Sequence, residues 1–462
     1  MNVVLISTYE LGRQPFGLAS PAAWLKDEGC AVTSLDLAVQ PLSEGAEALA
    51  AADLIGFYLP MHTATRLAAG VVGRIRDLNP RAHLCFYGLY APVNESYLRR
   101  LGAGTILGGE YEEGLVSLVR RLGSHEAGRR VPEQPEPLIS LGRQKFRAPD
   151  RSGLPGLERY ARLQMAPGVL KTVGYTEASR GCKHLCRHCP VVPVYQGNFR
   201  IVQPDVVLED VRRQVAAGAE HVTFGDPDFF NGPTHAVKIV RALHDEFPRL
   251  TYDVTIKVEH LLRHREHLPT LRDTNCLFVT SAVEAIDDAI LRIFDKNHTR
   301  EQFVEAVDLF RVVGLHLNAT FVTFTPWTTL AGYLELLHLI RDLDLIENVA
   351  PIQYAIRLLI PASSRLLELP EVARIVLEFD ERKLFYPWVH PDLRVDRLCQ
   401  ELLRDIQSVL GQDEGRAEIF QRVWRRAHLA YEEPVASARE AMVGGPRPAR
   451  STVPYLTEPW YC

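Results

Sequence analysis

The sequence predicts an α/β protein: two successive parallel-sheet units followed by a mostly helical C-terminal region. Three observations predict it. Over residues 1–122, and again over 166–360, short apolar runs alternate with segments of helical length, the pattern of strands joined by helical crossovers. Between them, 123–165 is rich in proline, glycine and charge and reads as a linker wrapped on the surface. From 361 to 462 the alternation stops. There "RLCQELLRDIQSVLG" and "AEIFQRVWRRAHLAYEE" read as helices, and the chain ends in the Pro-rich "VGGPRPARSTVPYLTEPWYC".

In the first unit "NVVLIS", "AVTSLDL", "DLIGFYL", "HLCFYG" and "GTILGG" read as buried parallel strands. The helical segments between and after them are "SPAAWLKDEG", "TRLAAGVVGRIRDL", "NESYLRRLG" and "EEGLVSLVRRLG". A doubly wound sheet of this kind takes ligands at the carboxyl ends of its strands. In the second unit the strand candidates are "TVGYTEAS", "HVTFGD", "YDVTIKV", "CLFVTSAV", "HLNATFVTF" and "IQYAIRLLI", with helices such as "DVVLEDVRRQVAAG" and "REQFVEAVDLFRVVG" between them. These βα-type units fit an open, barrel-like parallel sheet, with the active site expected at its carboxyl end.

The totals narrow the function. A chain of 462 residues is too long for one typical domain, and 47% hydrophobic residues suffice for sizeable cores. The formal charge is −5 with no block of like charge, so no nucleic-acid footprint is visible and a small-molecule substrate is expected. No run approaches the roughly 20 apolar residues of a membrane span. "MNVVLIST" lacks the basic region of a signal peptide. Cys30, Cys85, Cys276, Cys399 and Cys462 are scattered and form no disulfide framework. A cytoplasmic protein without membrane association is the expectation.

The densest chemistry is "GCKHLCRHCP", where Cys182, Cys186 and Cys189 share one loop with His184 and His188. A structural zinc site wants four nitrogen or sulfur ligands. A histidine of the loop would have to complete the set in tight geometry, and no second cysteine pair stands at ribbon spacing. Three thiolates can instead hold three irons of a 4Fe–4S cube and leave the fourth iron open. The loop follows "TVGYTEAS", the first strand of the second unit, and so sits at the expected active-site end. On that reading His184 and His188 are spacers.

CxxxCxxC after a first barrel strand resembles the radical S-adenosylmethionine (SAM) superfamily. The resemblance implies a 4Fe–4S cluster whose open iron binds SAM, reductive cleavage of SAM by a one-electron donor of flavodoxin or ferredoxin type, and hydrogen abstraction by the 5′-deoxyadenosyl radical. It also implies SAM-contacting positions. "FGDPDFF" ends the second strand where the superfamily often has Gly-Gly-Glu; Gly225 and Asp226 occupy the place, and Asp228 shares the role or closes a turn. "SAVEA" resembles a Gly-x-Glu-Ser segment and places Glu284. "KVEH" puts Lys257 and Glu259 on one side of a strand, as a structural ion pair or a carboxylate clamp. Asn318 and Arg357, on the fifth and sixth strands, complete the set.

"LISTYELGRQPFGLASPAAWLKDEGCAV…DL", "GLY" and "GEYEEGL" resemble the flavodoxin-like (Rossmann-like) cobalamin-binding domain of the cobalamin-dependent radical SAM class. The resemblance therefore implies a cobalamin-type domain, then a partial (β/α)6 radical SAM barrel and C-terminal helices closing the barrel over substrate. The Asp-x-His-x-x-Gly cobalt-ligating motif is absent from both that class and this chain. His62 in "LPMHTATR" is expected to cap or pack rather than to bind cobalt. Tyr9, Glu10, Pro15, Gly17, Leu18, Met61, Thr63, Gly88 and Gly109 are the cobalamin-pocket candidates. The tail "YLTEPWYC" and several barrel segments resemble a subfamily with a Cys-Cys-Ala-Glu-Pro or Cys-selenocysteine-Ala-Glu-Pro C-terminus, which makes Cys462 a candidate tail thiol or a truncation point. The implied reaction is methylation of an unactivated carbon or of a heteroatom of a small molecule. Alternatives are 3-amino-3-carboxypropyl transfer or other radical chemistry on a metalloid or soft acceptor, and a non-catalytic corrinoid or metal sensor.

Overall fold

The computed structural model describes residues 1–126, 135–409, 414–431 and 453–457. Cys462 lies outside the described residues. In the first unit β1 (Asn2–Ser7), β2 (Ala31–Asp36), β3 (Leu54–Tyr58), β4 (His83–Tyr87), β5 (Thr105–Gly109) and β6 (Ile139–Ser140) form one parallel sheet in the order β2-β1-β3-β4-β5-β6. The first five follow the flavodoxin-like order. The two-residue period of the strands feeds two cores. Val3 and Leu5 face Leu18, Leu25, Leu115 and Val119 of the helices Phe16–Asp27 and Glu112–Glu126. Val4 and Ile6 face the other layer, with Ala68, Val72 and Ile75 of the helix His62–Leu78.

The linker is more than a surface strap. Its residues Ile139 and Ser140 make β6, and Phe146 is buried in the core of the second unit. Gly109 is required where β6 joins. It has φ +71°, and a Cβ there would stand 2.2 Å from the Ser140 carbonyl oxygen.

The second sheet begins with β7 (Arg162–Ala166), antiparallel to β8 (Val169–Thr176). A short hairpin of β9 (Ser179–Gly181) and β10 (Phe199–Ile201) follows. Next come β11 (His221–Phe224), β12 (Thr251–Thr255), β13 (Cys276–Glu284) and β14 (His316–Phe321), each parallel to its neighbour in a curled sheet with β8. From the tail, β15 (Tyr455–Leu456) pairs antiparallel with β7 at the far edge. The sixth barrel position, "IQYAIRLLI", is not a regular strand. It is a tight helical turn, Pro351–Ala355, and one parallel bridge between Phe324 and Arg357. The Gln353 side chain accepts the Phe321 N–H at 2.9 Å, so part of the ladder is replaced by a side-chain bond.

The C-terminal helices Leu393–Val409 and Arg416–Ala430 pack beside this last position, against the helix Leu330–Asp342 and the turn Pro351–Ala355. Arg416, the first residue of the second of these helices, lines the cavity inside the barrel. The segment before them reaches the cysteine loop: Ser364 Oγ bonds the Arg187 carbonyl at 3.3 Å, and Arg365 bonds the Leu185 carbonyl at 3.0 Å. Among the described residues no helix is long and apolar enough to cross a membrane.

The two units meet around one buried cation, Arg180 of β9. It forms a bidentate pair with Glu112 at 2.9 and 2.7 Å, meets Glu110 at 3.3 Å, and donates to Glu177 at 2.6 Å. The rings of Phe16, Tyr111 and Phe146 lie 5.0–5.5 Å from its guanidinium. Ser20 and Gln144 add bonds to Glu112 at 2.6 and 2.8 Å, and Tyr195 donates to Glu110 at 3.2 Å. A second clamp is Arg151, paired with Asp210 at 2.8 Å and bonded to Gln14 and to the Tyr175 carbonyl at 2.8 and 2.6 Å.

Removing the Arg180 cation leaves three carboxylates buried against one another. Arg180→Met is therefore expected to destabilise the chain by about 3–5 kcal/mol, read from the urea midpoint. Burial, and then Glu112, raise the Glu110 pKa from 4.5 to about 7 against the pull of Arg180. A raised acid favours the folded state while protonated. Its contribution is complete below pH about 4.5 and is lost as pH rises through about 7. The urea midpoint of Glu110→Gln should accordingly fall less than that of the wild type across this interval.

Candidate functional site

The cysteine loop starts where β9 ends. Gly181 turns the chain there, with φ +74° and the Tyr195 ring 2.3 Å from where a Cβ would stand. The loop is fastened on several sides. Asn231 donates to the Gly181 carbonyl at 3.2 Å, Arg187 N–H donates to the Phe294 carbonyl at 2.9 Å, and Ser364 and Arg365 hold two loop carbonyls. Cys182 and Cys186 are buried and Cys189 is half-buried. As expected, the three thiols lie just beyond the carboxyl end of the first parallel barrel strand, β8.

Burial pushes the Cys182 thiol up to about 11 and Cys189 to about 12. Thiols raised in this way ionise only beside positive charge. Two lysines supply part of it. Lys257 Nζ is 3.6 Å from Cys186 Sγ. Lys296 is buried, yet Glu284 and Cys186 outweigh its burial and hold its pKa above the ordinary value. The donor set therefore fits a thiolate-bound metal centre that carries the remaining positive charge.

Glu284 reaches this loop. Its backbone is left-handed, with φ +68°, and its carboxylate meets His188 Nε2 at 3.0 Å and Lys296 Nζ at 3.2 Å. Burial opposes its ionisation, but Lys296 and His188 hold its pKa well below the carboxylate range. Lys257 is also at the loop, though not on a strand as expected. It precedes the helix Val258–Arg263, and Glu259 lies in that helix's first turn, 3.8 Å away. Asp226 is held at the loop's entry, accepting the Ala178 N–H at 2.9 Å and the Ser179 hydroxyl at 2.5 Å, while burial raises its pKa to about 7. Gly225 has no room for a side chain, because a Cβ would lie 1.8 Å from the Tyr175 hydroxyl. Asp228 faces His184 and His260.

One expected contact lies elsewhere. Arg357 stacks on Trp388 at 3.5 Å and pairs with Asp396 at 2.7 Å, which commits it to the C-terminal region. Asn318 lines a cavity of about 280 Å³ inside the barrel together with two other candidates, Gly225 and Asp226, and with Thr223, Asp253 and Gln353. The two loop histidines are not idle spacers, since each meets a carboxylate. Sequence reasoning missed Lys296, His298 and His260. "FDKNH" after the fourth barrel helix was the only available signal for the first two.

A second cavity, of about 190 Å³, opens between the units at the carboxyl ends of both sheets. Its lining includes Glu10, Met61 and Gly109 from the front unit and Tyr175, Glu177 and Arg180 from the barrel. Three of the nine cobalamin-pocket candidates thus line it. Others have packing roles: Leu18 is core, a Cβ on Gly17 would stand 2.2 Å from the Tyr58 ring, and one on Gly88 would stand 2.9 Å from the Leu59 carbonyl. Pro15 precedes the first helix, Thr63 lies in the first turn of the helix His62–Leu78, and Tyr9 is buried. His62 bonds the Lys383 carbonyl at 2.6 Å and is not in the cavity's lining. The cavity's place and its tyrosine-rich wall suit a large amide-bearing cofactor. Its volume is below the roughly 300 Å³ of ordinary ligand sites, so such a ligand must open it.

Residues 176–340 match the Radical SAM superfamily. The hopanoid C-3 methylase of Methylococcus capsulatus is 26% identical over 160 residues, 35% of this chain and 30% of the methylase. The chain spans about a third to a half of the length of the curated relatives it matches. The fold is similar to that of the cobalamin-dependent S-adenosylmethionine radical enzyme OxsB with aqua-cobalamin bound: TM-score 0.72 and 13% identity, over 96% of this chain and 75% of OxsB. It is also similar to the radical S-adenosylmethionine methyltransferase TsrM from Kitasatospora setae, with tryptophan and a SAM analogue bound. There the TM-score is 0.66 and the identity 16%, over 96% of this chain and all of TsrM, or 100%.

Proposed function

We propose that this radical SAM enzyme holds its 4Fe–4S cluster through Cys182, Cys186 and Cys189 and, with cobalamin bound between its two units, methylates an unactivated carbon or a heteroatom of a small molecule. One observation carries the reading: both units line one cavity at the carboxyl edge of the front sheet, and Gly181 and Val191, which flank the three cysteines, are part of its wall. When bound and reduced, the cluster supplies the electron that cleaves SAM to a carbon radical.

The chain's own part is placement. Lys257 and Lys296 offset the thiolate charge beside the cluster. Glu284, fixed by His188 and Lys296, is an anchored acceptor for the ammonium or hydroxyl groups of SAM. Asp226 and Gly225 set the mouth of the neighbouring strand, where Gly225 lines both cavities. Across the gap, Glu10, Met61 and Gly109 present the front unit's edge to a cobalamin. Burial and then Glu177 raise the Glu10 pKa well above the carboxylate range, so it offers a carboxylic acid rather than a carboxylate to amide groups. A one-electron donor of flavodoxin or ferredoxin type completes the system.

After anaerobic reconstitution with iron and sulfide, the chain given SAM and a strong reductant is expected to release 5′-deoxyadenosine. Cys182→Ala should bring both iron content and this product to background, measured by metal analysis and chromatography; product from the iron-free variant would refute the assignment. Met61→Trp, which fills the inter-unit cavity, should at least tenfold weaken retention of added hydroxocobalamin on gel filtration. The same variant should leave iron content unchanged.

A further inference from the structure

We propose that Asp228, His260 and His184 form a mononuclear site for a zinc-type divalent ion directly behind the cysteine loop. Asp228 follows β11, His260 belongs to the helix Val258–Arg263, and His184 lies inside the loop. Asp228 Oδ2 is 2.7 Å from His260 Nδ1 and 3.5 Å from His184 Nε2. Asp228 and His260 are fully buried, and His184 is nine-tenths buried. Asp228 Oδ2, His184 Nε2 and both ring nitrogens of His260 have no well-directed hydrogen-bond partner. Buried polar atoms left this way are costly, and here they converge.

The donor chemistry selects the ion. Two imidazoles and one carboxylate suit zinc or ferrous iron, and a fourth position is left for water. The Cys182 sulfur lies within 4.8 Å of the Asp228 and His184 donor atoms, but it belongs to the cluster set and is not needed here. His184 cannot give both nitrogens to one ion. Its Nδ1 faces Glu259 Oε2 at 3.5 Å, the usual way a carboxylate fixes the tautomer of a metal-bound histidine. A line of imidazoles leads outward: the His264 ring is 5.5 Å from His260, and the His267 ring is 6.4 Å from His264. The outer two are partly exposed and give an ion a way in. The bound ion ties the cysteine loop to the end of β11 and to the helix after β12, so its role is to brace the loop.

The site shares the cysteine loop with the proposed cluster and is tested with zinc alone. The full chain, reconstituted with iron and sulfide, is given Zn²⁺, desalted and analysed for both metals. About one zinc per chain should remain beside the iron. His260→Gln, outside the loop, and Asp228→Asn should each lower it at least tenfold; in His260→Gln the iron content and the thiolate-to-iron absorption should persist. The triple variant Cys182→Ala, Cys186→Ala, Cys189→Ala should keep the zinc, which excludes thiolate capture. A wild type that retains no zinc, a His260→Gln variant that retains as much as wild type, or a triple variant that loses it would overturn the site. Zinc retention without iron would count against the cluster assignment and leave this one standing.

Discussion

A single guanidinium decides how the two sheets face each other. Arg180 sits in β9, two residues before the first loop cysteine, and is buried among carboxylates from both units. Its charge is tolerable only because Glu110, Glu112 and Glu177 surround it, and theirs only because it is there. Glu110 and Glu112 follow the last long strand of the front sheet, while Glu177 and Arg180 follow the first parallel strand of the barrel. The pairing therefore joins the carboxyl end of one sheet to the carboxyl end of the other. The geometry leaves little freedom: a bidentate guanidinium pair fixes orientation as well as distance, and three aromatic rings lie around it.

That junction gives the neighbouring features their meaning. The cavity between the units lies where the carboxyl ends of the two sheets meet. Arg180 and Glu177 are part of its wall, so the element that locks the units also shapes the space between them. The cysteine loop leaves the junction directly. Its first turn is set by Gly181 against Tyr195, whose hydroxyl in turn bonds Glu110. A change of the front unit's position would pass to the loop through this short series of contacts.

Legibility in the sequence followed distance along the chain. The front unit's five long strands were readable because a strand buried on both faces is a continuous apolar run, and the cysteine loop because its three thiols stood within eight residues of each other. The Arg180 cluster was not readable. Its partners Glu110 and Glu112 are 70 and 68 residues away, and "GEYEEGL" looked like a ligand loop rather than the far half of an ion pair. "IQYAIRLLI" was read as a strand because a short apolar run does not distinguish a strand from a buried turn. That reading also placed Arg357 in the barrel mouth, whereas it pairs with Asp396. Lys257 was assigned to a strand for a related reason: β12 ends at Thr255, and the apolar alternation runs on into the next helix.

The loop's surroundings carry a further consequence of charge. Lys257 and Lys296 bring two cations to three sulfurs, while Glu284 returns one negative charge to Lys296 and is itself held by His188. His298 adds none: burial, then Lys296 and Lys257, lower its pKa to about 4, so it stays neutral at ordinary pH. Local positive charge near thiolate-bound iron favours the more negative, reduced state. With a cluster held there as proposed, Glu284 would moderate that bias instead of cancelling it, because its carboxylate lies on the lysine rather than on the sulfurs. The strained backbone at Glu284 fits this arrangement. A left-handed glutamate is costly and persists only where its surroundings over-determine it. Here the two bonds to His188 and Lys296 do so, and they hold the carboxylate against the lysine at the edge of the cysteine loop.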